Sequence, residues 1–149
     1  DYVRASPRDI WRATNFQRLS FRGLEAAAGI RLKGAQQLDL RYTTLEGSRQ
    51  TLAGVESKYV FNYPVHSAVA AWQWSGKGVA LRTRVGALSR LRRDPYAVWD
   101  VYAARISGRW NPFVQLTNLS DTRYEEIPGV AMPGRAAVIG FQCVLWRRR

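Results

Sequence analysis

The sequence is short of the residues from which catalytic and metal centres are built: one cysteine and one histidine in 149 residues. A lone Cys143 excludes an intrachain disulfide and any multi-cysteine zinc site. It reads as a small hydrophobe with no redox role. A lone His66 leaves a metal without a histidine partner and is expected to be a hydrogen-bonded histidine. No Ser-His-Asp set, glycine-rich phosphate loop or ligand cluster occurs, so neither an enzyme nor a bound cofactor is expected. No apolar run approaches the roughly 20 residues of a membrane-spanning helix. The opening "DYVRASPRDIW" is polar and mixed rather than a signal peptide, and it reads as the middle of a longer protein. Acidic residues are few, 11 against 23 basic ones, and the net charge of +12 calls for an anionic partner: nucleic acid, lipid headgroups or lipopolysaccharide. Repeats, low-complexity tracts and linkers are missing too, so residues 1–149 are read as one unit.

What the sequence does have is alternation. In "VALRTRVGALSRLR", 79–92, Val79, Leu81, Thr83, Val85, Ala87, Ser89 and Leu91 fall on one side of an extended chain. Arg82, Arg84, Arg90 and Arg92 fall on the other, whereas a helix would scatter them around its circumference. Leu38, Leu40, Tyr42 and Thr44 alternate in the same way with Gln37, Asp39, Arg41 and Thr43. Leu24, Ala26, Ala28, Ile30 and Leu32 alternate with Gly23, Glu25, Ala27, Gly29 and Arg31, although the alanines there also permit a helix. Further strands are expected over 59–75, 96–107, 111–119 and 134–146.

These candidates are long for a soluble protein, whose strands usually run to about 5 or 6 residues. They match the roughly 10 residues, tilted near 45°, that cross an outer membrane. The connections alternate as well. Short ones fall at 33–36, 76–78 and 108–110, and longer ones at 5–15, 47–57 and 120–133; the turn at 93–95 is the exception. That rhythm predicts an all-β chain forming an antiparallel transmembrane β-barrel segment, a partial barrel of seven long meander strands with "DYVR" as the stump of an eighth. On its own such a segment is expected to be an open sheet with unpaired first and last strands.

A family resemblance covers nearly the whole chain and is most specific toward the C-terminus. "FVQLTNLSDTRYEEIPGVAMPGRAAVIGFQ" resembles the end of the barrel in TonB-dependent outer-membrane receptors. In that family an Asn-Leu-x-Asp-x-x-Tyr stretch closes the penultimate strand, and a Pro-Gly-Arg opens the last one after an outer loop. Here these are Asn118, Leu119, Asp121 and Tyr124, then Pro133, Gly134 and Arg135. Weaker echoes are "DYVR", then "WRATNFQRLSFRGLE" with its Gly23 and Glu25, and "NYPVHSAVAAW". The resemblance implies a C-terminal barrel fragment, the final third of a complete receptor without plug domain or earlier strands, in a Gram-negative outer membrane. It implies contact with membrane lipid and lipopolysaccharide, and a last strand that addresses the barrel assembly machinery through Ala137, Ile139, Phe141, Cys143, Leu145 and Trp146. Leu145 holds the place usual for the aromatic, and Trp146 follows it. The intact protein would take up a bulky nutrient such as a ferric siderophore or cobalamin. The TonB energising protein would act only through the missing N-terminal part.

Under that reading Arg82, Arg84, Arg90 and Arg92 line a wet lumen. There they either face carboxylates of the plug or guide an anionic chelate, or are simply solvated and paired with Asp39, Asp100 or Glu25. Trp72, Trp74, Trp99 and Trp110 would form aromatic girdles. Glu125 and Glu126 are a loop pair that is either solvated or in touch with ligand. The alternative is a small basic soluble β-domain whose aromatic residues stack single-stranded nucleic acid. The main reading involves no nucleic acid. A self-standing eight-stranded barrel would need a longer first strand than "DYVR" supplies.

Overall fold

The computed structural model describes residues 2–15, 20–47, 56–57, 63–91, 93–127 and 129–145. Its elements are all strands: β1 (Tyr2–Arg4), β2 (Arg12–Ala13), β3 (Phe21–Leu32), β4 (Gln36–Gly47), β5 (Glu56–Ser57), β6 (Pro64–Gly76), β7 (Val79–Arg90), β8 (Tyr96–Arg105), β9 (Trp110–Thr117), β10 (Glu125–Ile127), β11 (Val130–Ala131) and β12 (Ala136–Cys143). Seven of them form one antiparallel sheet in the order β12-β9-β8-β7-β6-β4-β3, a meander in which each strand pairs with its neighbours along the chain. The fold is therefore all-β, and the sheet is open: among the described residues β3 pairs only with β4, and β12 only with β9. The alanine run of β3 forms no helix. All 12 residues of that strand are paired with β4, from Phe21 opposite Gly47 to Leu32 opposite Gln36, and tertiary pairing outweighs local propensity.

Short turns collect at one end of the sheet and longer connections at the other. Lys77 and Gly78 form a two-residue hairpin turn, both with positive φ (49° and 78°), the combination that suits the twist of paired strands. Gly78 also needs its missing side chain because a Cβ there would collide with Ser107 of the next turn. The Ile106 amide donates to the Gly78 carbonyl at 2.8 Å, tying the two turns together.

The strands are progressively offset. The cross-strand row Leu32–Gln36–Trp74–Leu81–Ala103–Val114–Ile139 meets β3 at its last residue before the turn but meets β9 and β12 in mid-strand. A sheet sheared in one direction is one whose strands tilt when it curls, as barrel closure requires. Neighbours alternate in direction, so the two edge strands, β3 and β12, run the same way. They cannot pair with each other antiparallel unless an odd number of further strands lies between them.

Several boundaries differ from the sequence reading. "DYVR" is not the stump of an eighth strand of the large sheet. Tyr2–Arg4 belongs to a separate three-stranded sheet, β2-β1-β5, because the chain turns back at once and pairs Tyr2 with Ala13 and Val3 with Arg12. The turn is held by Arg4, whose Nη1 donates to the Pro7 carbonyl at 2.9 Å and whose guanidinium sits 4.4 Å from the Trp11 ring centroid. β9 stops at Thr117 because Asn118 takes a left-handed φ of 50°. β12 starts at Ala136, since the backbone before it is taken by hydrogen bonds described below. β7 ends at Arg90, beside a register irregularity between Pro64 and His66. Arg92, Trp146, Arg147, Arg148 and Arg149 lie outside the described residues, as do 58–62 at the start of the strand expected from 59.

The large sheet has no core. Among the described residues Ala104, 8% exposed, is the only buried hydrophobic, and no large side chain is fully buried. The chain exposes 11266 Å². A compact soluble protein of 16.9 kDa would expose about 7,700 Å². Among the described residues no further layer covers either face of the sheet.

Candidate functional site

The pairing register sorts the side chains into two unlike faces. On one lie Leu24, Ala26, Ala28, Ile30 and Leu32 of β3; Leu38, Leu40 and Tyr42 of β4; Ala68, Ala70, Trp72 and Trp74 of β6; and Leu81, Thr83, Val85 and Ala87 of β7. Ala97, Trp99, Val101 and Ala103 of β8, Val114 and Leu116 of β9, and Ala137, Ile139, Phe141 and Cys143 of β12 continue it. Charges on this face occur only at its margins: Arg22 with Glu46 at the long-loop end, and Arg105 at the short-turn end. Arg22 and Glu46 neutralise one another at 2.9 Å. Most of the exposed large hydrophobics of the seven strands belong to this face, from Leu24 to Ile139, which is 81% exposed; Phe21 and Val138 are the exceptions.

The opposite face carries every mid-strand charge: Glu25, Arg31, Asp39, Arg41, Arg82, Arg84 and Asp100, interleaved with Gln37, Gln73, Gln115 and Gln142. Arg84 stands opposite Asp100 and pairs with it at 3.7 Å. Both are partly exposed, and a pair of this kind contributes at most about 1 kcal/mol.

Polar-tipped aromatics edge the apolar face. Trp74 and Trp110 sit beside the short turns, with Trp72 one rung above Trp74. Trp110 meets Phe141 edge-on at 5.4 Å. The Trp72 indole donates to Gln36 Oε1 at 3.0 Å. Nearer the middle of the sheet Trp99, opposite Val85, donates from Nε1 to Thr83 Oγ1 at 2.6 Å, and toward the long-loop end the Tyr42 hydroxyl is 2.8 Å from His66 Nδ1. His66 is thus hydrogen-bonded, and no cluster of possible metal ligands occurs among the described residues.

The motif residues of the C-terminal third come together at the long-loop end as a clamp. Asn118, 3% exposed, is its hub. Its backbone amide donates to Asp100 Oδ1 at 3.0 Å, and its Nδ2 donates to the carbonyls of Thr122 (2.9 Å) and Pro133 (3.2 Å). Its Oδ1 accepts from the Thr122 amide at 3.0 Å and the Ser120 hydroxyl at 3.2 Å. The Leu119 amide donates to the Trp99 carbonyl at 2.8 Å, and the Thr122 hydroxyl to the Ala97 carbonyl at 2.7 Å, which fastens the turn to β8. Asp121 receives the Arg135 amide at 3.0 Å and faces its guanidinium at 3.3 Å. A Cβ on Gly134 would press on Asp121 Oδ1 at 3.2 Å. Tyr124 stacks on Tyr96 at 4.6 Å. Glu125 accepts from the Gly129 amide at 2.8 Å and pairs with Arg93 at 3.4 Å, so it braces its own hairpin.

All seven motif residues therefore lie in this turn-and-loop assembly, which carries the chain from β9 to β12. Sequence reasoning did not single out Arg93, Tyr96, Ser120 or Thr122. Of these only Thr122 leaves a local trace, an Asn with a Thr four residues on. Leu145 follows β12, is 82% exposed, and continues the parity of the apolar set.

Hydrogen bonds from the Arg135 amide and guanidinium, together with that residue's charge, hold the Asp121 carboxyl below its ordinary range. Burial, followed by nearby Glu126, Tyr96 and Asp100, pushes the Tyr124 phenol up. A depressed carboxyl stabilises the fold above its unfolded value, and that contribution is lost as pH falls through the folded value. Protection of the Arg135 amide from hydrogen exchange should therefore fall on acidification below the ordinary carboxylate range. An Asp121→Asn variant should start lower and show little of that pH dependence. Equal acid loss in both proteins would remove Asp121 from the clamp.

No protein-family model matches this sequence, and no curated protein matches it either.

Proposed function

We propose that the chain is the C-terminal barrel portion of an outer-membrane receptor of the TonB-dependent kind, its apolar face toward lipid and its charged face toward a water-filled lumen. The observation that carries the reading is the pair of faces just described: an apolar surface, charged only at its margins and continuous over seven strands, backed by a surface holding all the mid-strand charge. Water is a poor medium for the first, and hydrocarbon a costly one for the second. The strands of β3, β4, β6, β7 and β8, 10 to 13 residues each, have the length for an apolar band, and the aromatic rims have the chemistry for its two interfaces. The sheared register and same-direction edges support a segment of a larger antiparallel ring.

The intact receptor binds and imports a bulky nutrient of the ferric-siderophore or cobalamin type, with energy delivered by TonB to a part that precedes these strands. The segment alone supplies wall, lumen lining and outer loops, and does not transport. The reading frame upstream of the codon for Asp1 tests this directly. Several hundred further codons encoding barrel strands and a plug-sized domain are expected; a start codon and signal peptide immediately upstream would overturn it.

A further inference from the structure

The two ends of the sheet carry their charge differently. At the long-loop end Arg22 pairs with Glu46, Arg93 with Glu125 and Arg135 with Asp121. At the other end Lys33, Lys77, Arg105 and Arg109 stand in or beside the three short turns, all exposed. Among the described residues their side chains have neither an ion pair nor a hydrogen bond. The nearest described carboxylates along the strands are Asp39, three residues after the first of β4, and Asp100, five before the last of β8. At about 3.3 Å per residue these stand roughly 10 and 17 Å up the sheet. Hydrogen bonds tie each turn to its neighbour. The Ser75 amide donates to the Ala35 carbonyl at 3.3 Å, the Ile106 amide to the Gly78 carbonyl at 2.8 Å, and the Val144 amide to the Arg109 carbonyl at 2.9 Å. Successive turns are two strand spacings apart, roughly 10 Å. The backbone that carries the four cations is therefore a fixed line along one edge.

We propose that this line binds the anionic phospholipid headgroups of the leaflet that the short turns meet. Trp74 and Trp110, the latter 56% exposed, stand just inside it on the apolar face. Indole rings so placed settle at the level where headgroups begin, and cations immediately beyond them reach lipid phosphate. Lysine and arginine alternate along the line, which fits a point charge; a ligand gripped in two parallel bonds would call for arginine throughout. Single-stranded nucleic acid stacks its bases on aromatics set among the cations. Here both tryptophans turn to the uncharged face instead, Trp74 opposite Leu81 and Trp110 opposite Cys143. The inference rests on the proposed function in one respect, that the apolar face meets hydrocarbon. It assigns part of the chain's unpaired positive charge to one of the two membrane surfaces.

Electron spin resonance of the 149-residue chain in phosphatidylcholine vesicles, with a trace of spin-labelled phosphatidylglycerol or phosphatidylcholine, reads the preference directly. A basic residue at an anionic headgroup favours it by about fivefold, so phosphatidylglycerol should associate severalfold more strongly, and less so in high salt. Combining Lys33→Gln, Lys77→Asn, Arg105→Gln and Arg109→Gln should bring the ratio of the two lipids to about one. Asparagine suits the left-handed backbone at Lys77. Arg105→Lys with Arg109→Lys should keep the parent ratio, and Arg123→Gln, which removes a charge at the long-loop end, should leave it unchanged. A parent ratio of about one, or equal loss in Arg123→Gln and the combined variant, overturns the proposal. Quenching of tryptophan fluorescence by brominated phospholipid separates this outcome from the membrane reading, since it reports hydrocarbon contact of Trp72, Trp74, Trp99 and Trp110. Quenching without lipid preference removes the cation line alone, and preference without quenching removes the membrane wall. Salt-dependent binding of a single-stranded oligonucleotide, lost in the combined variant while the parent shows no lipid preference, would give these cations to nucleic acid and overturn the proposal.

Discussion

Replacing Asn118 by alanine is expected to destabilise the folded sheet by about 3–5 kcal/mol. The side chain makes hydrogen bonds to Ser120, Thr122 and Pro133 in a site that is almost fully buried. Cutting it back strands the Thr122 amide and two carbonyls, and each buried group left unpaired costs about 1–3 kcal/mol. The backbone adds to this. Asn118 sits at φ 50°, where asparagine is tolerated and alanine pays about 1 kcal/mol or more. Asn118→Gly removes the same hydrogen bonds but suits the backbone, so it should be less damaging than alanine. Urea unfolding of the chain in lipid vesicles, followed by tryptophan fluorescence, gives the comparison. An alanine variant within about 1 kcal/mol of the parent would show that the clamp is ornament to the fold.

That the asparagine is a hub could not be read from the sequence, and the reason is physical. Alternation is written residue by residue, so the two faces of β7 were legible in Arg82, Val85 and Arg84 before any pairing was known. What sits across a strand depends instead on register, and register is set by turns. Arg84 finds Asp100 only because the connection at 91–95 brings β8 back at one particular offset. The small sheet of β1, β2 and β5 left no trace because two or three residues cannot show a period. The motif from Asn118 to Arg135 was legible as a pattern, yet its spacing alone does not say that Asn118 and Asp121 both turn left-handed, or that Arg135 spends its amide on Asp121 rather than on β9. The alanines of β3 permitted a helix beside the strand that their alternation predicts, and partner β4 decided for the strand.

The second large effect separates a membrane wall from a soluble sheet. Val85 lies at the middle of the apolar face, on the rung Ala28–Leu40–Ala70–Val85–Trp99, and is 42% exposed. In a soluble protein a half-exposed valine on an uncovered sheet tolerates arginine within about 0.5 kcal/mol, and the added charge aids solubility. Against hydrocarbon the same change costs about 2–4 kcal/mol. Val85→Arg is therefore expected to lower stability in lipid vesicles by that amount. Val98→Arg should stay near the parent, because Val98 faces the charged side, two residues from Asp100. Unfolding titrations in vesicles of increasing acyl-chain length sharpen the contrast: the Val85→Arg penalty should grow as the rung moves farther from water, while Val98→Arg stays flat. If both variants behave alike, the two faces meet the same medium. The sheet would then have to bury its uncharged side against protein, and the uptake role would fall with the membrane.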